Sequence, residues 1–225
     1  MCNTYNLLLL TRICILLNYE CPGNGGIPEN MQQLKKSDIQ QASKIFALAM
    51  FNDDLHAWFF PEAKTRLQKL ENLYQFILQP QLRHSYKVSP NMEGFCIWEK
   101  PDEHQSAITL YDIYYGFSLI HKVGLKSLFR MIRYQIWSTK IRNSLTIDRY
   151  WYLYVVVVSP EFQGKGFASK MIKPFLENAT NLGEAVYLET QNIHNVPIYE
   201  KYGFNLIASK EFGKTGIKQY CMMKR

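Results

Sequence analysis

Residues suited to binding a phosphate group follow a strand-like run in the second half of the chain. Residues 151–158 are aromatic or aliphatic without interruption, and mostly aromatic or β-branched; SPEFQGKG comes directly after them, and an amphipathic helical pattern follows. A helix N-terminus after such a turn attracts anions, because its first amides lack intrahelical partners and its dipole adds positive charge. Gly164 and Gly166 allow close approach of the backbone. The segment predicts a phosphate-binding turn, to which Lys165 adds a charge and Ser169 a donor.

Two common phosphate-loop motifs are excluded by residue identity. A Walker A loop requires GxxxxGK followed by Ser or Thr, but Gly166 follows Lys165, and Ser159 stands where the first glycine is needed. The dinucleotide fingerprint GxGxxG requires a glycine at the position of Ser169. Neither motif therefore accounts for the glycines of this turn.

The turn does match another pattern, Gln-x-x-Gly-x-Ala in residues 163–168, preceded by Val-Ser-Pro. This pattern resembles the acetyl-CoA pyrophosphate motif of the Gcn5-related N-acetyltransferases (GNAT). A second element of that family, Asn195 followed by Tyr199 and then by Gly203 and Phe204, lies at the spacing the family uses.

The run of residues 150–204 is especially similar to the puromycin-N-acetyltransferase branch of this family. YLET, Asn-x-Pro-x-Tyr-Glu and a proline inside the motif helix, here Pro174, recur in that branch. Over residues 31–150 the resemblance is one of topology only, and the insertion at residues 101–149 carries no motif of the family.

The resemblance implies an acyltransferase that uses acetyl-CoA as its acyl donor, with no metal. The acceptor is expected to be a primary amine of a small molecule, which attacks the thioester directly in a ternary complex. The expected cofactor-binding residues are Val156, Val157, Val158, Gln163, Gly164, Lys165, Gly166, Phe167, Ala168, Ser169, Asn195 and Tyr199. Amides of the three valines would hold pantetheine as a surrogate strand where two parallel strands separate, and Val158 would also donate to the thioester oxygen.

Three further side chains are candidates for the chemistry. Tyr199 would protonate the leaving thiolate, since the reference pKa of tyrosine, about 10, exceeds that of a thiol, about 8.5. Its alternative role is packing of the short helix. Asn195 would hold pantetheine or only cap that helix. Glu189 would deprotonate the acceptor, directly or through water, or would be a carboxylate satisfied by the backbone or an arginine. His194 is the next candidate base, unless it is an exposed loop residue.

Hydrophobic periodicity predicts the elements that position these residues. In the first half they are a short strand at MQQLK, a helix from Ile39 capped by Ser37 or Asp38, a helix over residues 63–78 that ends at Pro80, and a hairpin of SYKV and GFCIWEK. In the second half they are the strand at 151–158, a helix that Pro174 should kink and Gly183 should end, a strand at AVYLET, a short helix at NVPIYEKYG, and a last hairpin of FNLIASKEF and IKQYCMMKR.

The insertion at residues 101–149 contains an amphipathic segment. Its apolar face comprises Leu125, Leu128, Phe129, Ile132 and Ile136, and its basic face comprises Lys122, Lys126, Arg130 and Arg133. Such a helix is typical of a solvated protein surface, and contact with cofactor phosphates or an acidic partner is the alternative.

With these elements, the resemblance implies an α+β (mixed α/β) GNAT fold. Its central sheet is mostly antiparallel, with six to seven strands and one splayed parallel pair, flanked by helices. The length of 225 residues suits one domain. We expect this domain to span residues 31–225, with residues 1–30 as a leader outside it, because CPGNGGIPEN has no periodicity. The apolar residues 7–17 are too few to cross a bilayer; a translation start placed too early and a secretory or anchoring leader both remain open.

Composition limits the partners. The net charge of +7 is concentrated between His121 and Arg149, where seven Lys and Arg face one acid. No helix-turn-helix or basic-aromatic strand signature indicates a nucleic-acid partner, and no stable membrane association is expected; a homodimer is left open. The five cysteines form neither a CxxC nor a Cys/His cluster, which argues against zinc and favours a reducing cytoplasm.

Aromatic residues outside the motif predict an acceptor with aromatic or apolar surface. They are Trp58, Phe59 and Phe60, and in the insertion Tyr111, Tyr114, Tyr115 and Phe117. Pockets for such ligands are mostly apolar with a few placed polar groups, although the same rings would also suit a core. A protein or peptide N-acetyltransferase and a non-catalytic acetyl-CoA-binding regulatory module are the alternative functions.

Overall fold

The computed structural model describes residue 28 and residues 31–101, 118–147 and 149–225. The predicted leader, apart from Pro28, lies outside these ranges. The same holds for Tyr111, Tyr114, Tyr115 and Phe117, the rings of the insertion that were expected to shape an acceptor site.

The described residues form one mixed sheet of seven strands, in the order β1-β2-β3-β4-β5-β7-β6. Only β4 and β5 are parallel neighbours, and the other pairs are antiparallel. This confirms the predicted fold class. The strands are β1 (Gln32–Gln33), β2 (Ser85–Lys87), β3 (Gly94–Glu99), β4 (Tyr150–Val158), β5 (Ala185–Thr190), β6 (Asn205–Glu211) and β7 (Lys218–Lys224).

Helices cover both faces of the sheet. They are α1 (Ile39–Met50), α2 (Asp54–Phe59), α3 (Ala63–Gln81), α4 (Leu125–Ser144), α5 (Phe167–Asn181) and α6 (Val196–Glu200). The first four pack with Phe95, Ile97 and Val157 in one core, whereas α5 packs with Cys96 and Trp98 on the opposite face. Because side chains alternate along β3, this strand contributes residues to the cores on both faces of the sheet.

The structure differs from the sequence-based expectations at the ends of the first helices. Asp38 precedes α1, but its carboxylate accepts from the amide of Lys35 and from Nζ of Lys87, both at 2.9 Å, instead of capping the helix. Helix α3 continues through Pro80 to Gln81. A proline in the last turn removes a single helical hydrogen bond, and the hydroxyl of Ser85 donates to the carbonyl of Gln81 at 2.7 Å.

The apolar face predicted for the basic helix is wrong. Of its members in α4, Leu125, Phe129, Ile132 and Ile136 are exposed. The buried residues are Ser127, Tyr134, Ser138 and Ile141. A stripe rich in hydroxyl groups is buried because Tyr134 and Ser138 donate hydrogen bonds to polar side chains of β7 and β5, Gln219 and Glu189. Counting apolar residues could not detect a helix face that is buried through polar contacts.

Helix α5 follows the predicted pattern. Gly183 has a φ of 66° and lies just beyond the C-cap, Leu182. Its amide donates to the carbonyl of Thr180 at 3.0 Å, and the amide of Glu184 donates to Ala179 at 2.9 Å, which together form a Schellman motif. This end of the helix fixes the start of β5, two residues further on.

Candidate active site

A β-bulge in β4 lies at the centre of the sheet. Ile97 of β3 pairs with Val155, and the next residue, Trp98, pairs with Leu153, so Tyr154 is the extra residue. Tyr154 and Val155 consequently both pack on the core formed with α1–α4. A bulge bends its strand and increases its twist, which turns the second half of β4 away from its former direction.

The parallel strands separate where this bulge occurs. Their last pair is Leu153 with Leu188. Beyond it, β4 continues to Val158 along β3, while Glu189 and Thr190 of β5 pair only with β7. The predicted splaying of the two strands is confirmed, and it opens a cleft bordered by an unpaired strand edge.

Two amides of this edge face the cleft. The amide of Ser159 donates to the carbonyl of Glu93, across β3, at 2.8 Å. Backbone groups alternate in direction along a strand, so the backbone of Val157 also points to β3, and that of Val156 and Val158 points into the cleft. The donors predicted for pantetheine are therefore restricted to Val156 and Val158, because the amide of Val157 belongs to the sheet.

The helix start beyond β4 has the geometry of an anion site. Gly166 is the N-cap of α5 with a φ of 81°, and Gly164 has a φ of 76°. Such values favour glycine. The first intrahelical bond runs from the amide of Lys170 to the carbonyl of Gly166, so the amides of the three preceding residues, Phe167, Ala168 and Ser169, have no helical acceptor.

Side chains around this turn are partly engaged. The hydroxyls of Ser169 and Tyr202 are 2.6 Å apart. Lys165 is exposed, with its ammonium 5.1 Å from the ring centre of Phe162. Gln163 donates to the carbonyl of Val158 at 3.4 Å. The turn thus presents backbone amides and one exposed cation.

A cavity of about 810 Å³ extends from this cleft into the layer of α1–α4. Seven of the predicted site residues line it: Val156, Val157, Val158, Gln163, Glu189, Asn195 and Tyr199. The other six predicted residues are not among the lining residues: Gly164 and Lys165 lie in the turn before α5, Gly166 is its N-cap, and Phe167, Ala168 and Ser169 form its first turn.

Tyr199 and Asn195 meet the cavity from α6. Burial raises the pKa of Tyr199 to about 12, and the neighbouring Tyr202 adds to this shift. Tyr199 therefore keeps its proton at neutral pH. Asn195 precedes α6, and its side chain does not cap this helix. The side-chain amide of Asn195 instead donates to the hydroxyl of Thr190, at the end of β5, at 3.0 Å.

The carboxylate of Glu189 is fully occupied. Arg142 donates through Nε to Oε1 at 2.8 Å and through a terminal nitrogen to Oε2 at 3.1 Å. The hydroxyls of Tyr187, Ser138 and Tyr152 donate at 2.9, 3.2 and 3.4 Å. A carboxylate offers about four lone-pair sites, so these five contacts leave none free for an acceptor amine. This is the alternative considered for Glu189, a carboxylate satisfied by an arginine.

The other candidate base, His194, is exposed and is not among the residues that line the cavity. Of the three rings after α1, only Phe59 lines the cavity, Phe60 is buried in the core, and Trp58 packs against Phe212. Of these three rings, Phe59 is therefore the one that the structure places at the cavity.

Sequence reasoning missed a polar network on the opposite cavity wall. Nδ1 of His56 is 2.5 Å from Oδ1 of Asp53, and Nε2 of His56 is 2.6 Å from the hydroxyl of Tyr74. Asp53 also caps α2 by accepting from the amide of His56 at 3.1 Å. The sequence signal was Asp-x-x-His at the start of a six-residue helix too short for periodicity to reveal.

Within the residues the structure describes, no three His, Cys, Asp or Glu side chains gather in a way that could hold a metal ion. In the same part of the chain, no helix combines the length and apolar character needed to cross a membrane.

Comparison with known sequences points to one family. Residues 133–225 match the model of the acetyltransferase (GNAT) domain. A stretch of 57 residues is 46% identical to an uncharacterized N-acetyltransferase of Schizosaccharomyces pombe, covering 25% of this chain and 23% of that protein. The match thus spans about a quarter of the length of this curated relative.

Comparison with solved structures concerns the fold. A protein of Corynebacterium glutamicum described as a histone acetyltransferase and related acetyltransferase has a TM-score of 0.59 at 17% identity, covering 86% of this chain and 94% of that one. The arylalkylamine N-acetyltransferase 2 of Aedes aegypti has a TM-score of 0.56 at 14% identity, covering 86% and 97%. At these identities the likeness shows the fold alone.

Proposed function

We propose that this chain, whose residues 133–225 match the model of the acetyltransferase (GNAT) domain and whose fold is similar to that of solved acetyltransferases, transfers an acetyl group from acetyl-CoA to an amine. The observation that carries the proposal is the cleft between β4 and β5, with its unpaired strand edge at one side and the glycine-started helix α5 at its end. These two features match the two halves of the donor, an amide-rich arm and a pyrophosphate.

Acetyl-CoA would bind with its pantetheine arm along the open edge of β4, where Val156 and Val158 direct their backbone groups. The pyrophosphate would accept from the first amides of α5, beyond Gly166. Asn195, fixed by its hydrogen bond to Thr190, is suited to hold the arm from the side of α6. This arrangement directs the thioester toward the cavity.

Transfer would proceed by direct attack of the amine on the thioester carbonyl. Negative charge develops on the carbonyl oxygen, and the amide of Val158 is the proposed donor that stabilises it. Tyr199 is the proposed proton donor to the departing sulfur, since it stays protonated across the physiological range. Glu189 is assigned a different role from the base expected from the sequence: held by Arg142, it stabilises the wall of the cavity.

The acceptor we propose is a small primary amine with an aromatic or apolar body. Apart from tyrosines, the ionisable lining residues are the acids Asp53 and Glu189 and the bases Arg142 and His56. Because Arg142 neutralises Glu189, the carboxylate of Asp53 remains to favour an ammonium group. Aromatic rings make up much of the remaining wall: Phe46, Phe59, Tyr74, Phe76, Tyr134, Tyr152, Tyr154 and Tyr199. A polycation would meet the basic residues of α4, and like charges lower the rate of encounter.

Two finer assignments belong to this proposal. YLET, Asn-x-Pro-x-Tyr-Glu and Pro174 support a relationship to the puromycin-N-acetyltransferase branch. A cytoplasmic location is supported by Cys96 and Cys221, which are buried as free thiols, as suits a reducing compartment.

The test is release of free CoA thiol from acetyl-CoA in the presence of a panel of amines. The panel contains arylalkylamines, alkylamines, spermidine and a lysine-rich peptide. We expect turnover, with arylalkylamines the best acceptors. Preference for the peptide would identify a protein N-acetyltransferase instead, and tight acetyl-CoA binding without thiol release would identify a regulatory module.

A further inference from the structure

We propose that Tyr74, His56 and Asp53 form a proton relay that accepts the proton of the acceptor amine, with Tyr74 in contact with the amine. This inference rests on the proposed acetyl transfer and names the base that this reaction needs. A primary amine is protonated at neutral pH and cannot attack a thioester until one proton has left its nitrogen.

Few of the residues that line the cavity have a side chain that could accept the proton of the amine. The ionisable lining groups other than tyrosines are Asp53, His56, Arg142 and Glu189 among the residues the structure describes. An arginine stays protonated, and the carboxylate of Glu189 has no free lone-pair site. The pair formed by Asp53 and His56 is therefore the proton acceptor that remains.

The hydrogen bonds fix the direction of proton transfer. Burial raises the pKa of Tyr74 well above its ordinary value, and the charge of Asp53 adds to this effect. We therefore assign the tautomer of His56 in which Nε2 accepts from the hydroxyl of Tyr74 and the protonated Nδ1 donates to Asp53. Burial acts to raise the pKa of Asp53, but hydrogen bonds from His56 outweigh it and lower this pKa, so the residue is an anion.

This arrangement leaves the hydroxyl oxygen of Tyr74 free to accept a hydrogen bond. A hydroxyl that donates one hydrogen bond still offers two lone pairs. The ring of Tyr74 is held by stacking on Phe46, with 3.5 Å between ring centres and 11° between planes. The hydroxyl oxygen thus has a fixed position in the wall of the cavity that also contains Val156 and Val158.

The proposed transfer conserves atoms and charge. The ammonium gives one proton to the oxygen of Tyr74 while the proton of Tyr74 moves to Nε2 of His56, leaving a neutral amine and an imidazolium beside the carboxylate of Asp53. The amine nitrogen then bonds to the thioester carbon and the carbon–sulfur bond breaks. Tyr199 protonates the sulfur and is reprotonated by the second proton of the nitrogen. The products are the amide, the thiol and one proton, which His56 releases to solvent.

Other groups around His56 do not offer the same role. Tyr134 of α4 contacts Phe59 of α2 at 5.8 Å between ring centres, and its own hydroxyl donates to Gln219. Arg130 of α4 donates to the carbonyl of Trp58 at 2.8 Å and is a fixed positive charge on this side. Among the residues the structure describes, the other titratable or charged groups near this network are Tyr134 and Arg130 of α4 and Tyr154 of β4, and Tyr154 adds to the rise in the pKa of Tyr74.

Three variants separate a relay from a structural network. His56→Gln retains an acceptor for the hydroxyl of Tyr74 but cannot take up a proton. Tyr74→Phe keeps the stacked ring and removes the hydroxyl. Asp53→Asn keeps a good N-cap for α2 and removes the charge. Tyr86→Phe is the matched control, since this buried tyrosine donates to the carbonyl of Arg83 and lies outside the cavity lining.

The experiment measures kcat and KM against pH with the best amine of the panel, together with acetyl-CoA affinity and melting temperature. In the wild type, kcat/KM should fall with acid, because an imidazole that already carries a proton cannot take up the proton of the amine. We expect His56→Gln and Tyr74→Phe to lower kcat roughly 10²-fold and to lose this acidic limb, with unchanged acetyl-CoA affinity. The pH dependence that is caused by protonation of the amine substrate itself should remain in all variants.

A structural network would give a different result. If His56→Gln and Tyr74→Phe keep the acidic limb and stay within about threefold of wild-type kcat, the relay is refuted and the proposed function stands. If the wild type transfers acetyl to no amine, the proposed function fails and the relay with it. Should His56→Gln not fold, Tyr74→Phe alone decides the question through its pH profile.

Discussion

Replacing Arg142 by methionine should destabilise the protein strongly. In the structure, 21% of the Arg142 side chain and 7% of the Glu189 side chain are exposed, and two hydrogen bonds join them. The variant leaves the carboxylate buried without its counter-charge, which costs about 3–5 kcal/mol in comparable pairs. For a domain of this size each kcal/mol lowers the melting temperature by about 2–4 °C, so a decrease of roughly 6 to 20 °C follows from these two ranges.

Thermal and denaturant unfolding measure this effect, with two comparisons built in. Arg149→Met breaks the more exposed pair with Glu184, in which the arginine is 56% exposed, and should cost at most about 1 kcal/mol. The double variant Arg142→Met with Glu189→Gln should recover much of the loss, since no uncompensated charge remains and the amide oxygen still accepts from the hydroxyls of Tyr187, Ser138 and Tyr152. An effect of Arg142→Met as small as that of Arg149→Met, or no recovery in the double variant, would refute the structural role of this pair.

Three further predictions concern the cofactor, the chemistry and the domain boundary. Gly166 and Gly183 lie at the two ends of α5, with positive φ values and open space for a Cβ. Gly166→Ala and Gly183→Ala should therefore each lower the stability by about 1–2 kcal/mol. Calorimetry should show weaker acetyl-CoA binding for Gly166→Ala only, and equal affinities would contradict the pyrophosphate site. Tyr199→Phe should lower kcat roughly 10²-fold at unchanged acetyl-CoA affinity; an unchanged kcat with chemistry rate-limiting would make Tyr199 a packing residue. Removal of residues 1–30 should leave a cooperative melting transition and activity, and aggregation of the shortened protein would move the domain boundary.

The second half of the fold was predictable because its signals are local. The run at residues 151–158, the turn that follows and the helix pattern to Gly183 each specify their structure within a few residues. The predicted separation of the parallel strands is also observed. The bulge at Tyr154 was not predictable, since a run that is apolar on both faces hides a change in alternation.

The far wall of the cavity was not predictable because its contacts are distant in sequence. His56 meets Tyr74 across 18 residues, and Arg142 meets Glu189 across 47. The carboxylate of Glu189 is occupied by donors that include Ser138 and Arg142 of α4, and the buried stripe of this helix mixes Ser127 and Ser138 with Tyr134 and Ile141. Periodicity reports which faces are apolar and gives no information on which polar side chains satisfy one another.

Transfer of a radiolabelled acetyl group from acetyl-CoA tests the central claim most directly. The wild-type protein is incubated with labelled acetyl-CoA and an arylalkylamine, quenched in acid, and separated into protein and small-molecule fractions. We predict label in the acetylated amine, release of an equal amount of CoA thiol, and no label on the protein, because direct attack in a ternary complex forms no acetyl-enzyme. Label held on the protein would contradict direct attack, and label that stays in acetyl-CoA with every amine tested would contradict the acetyltransferase assignment itself.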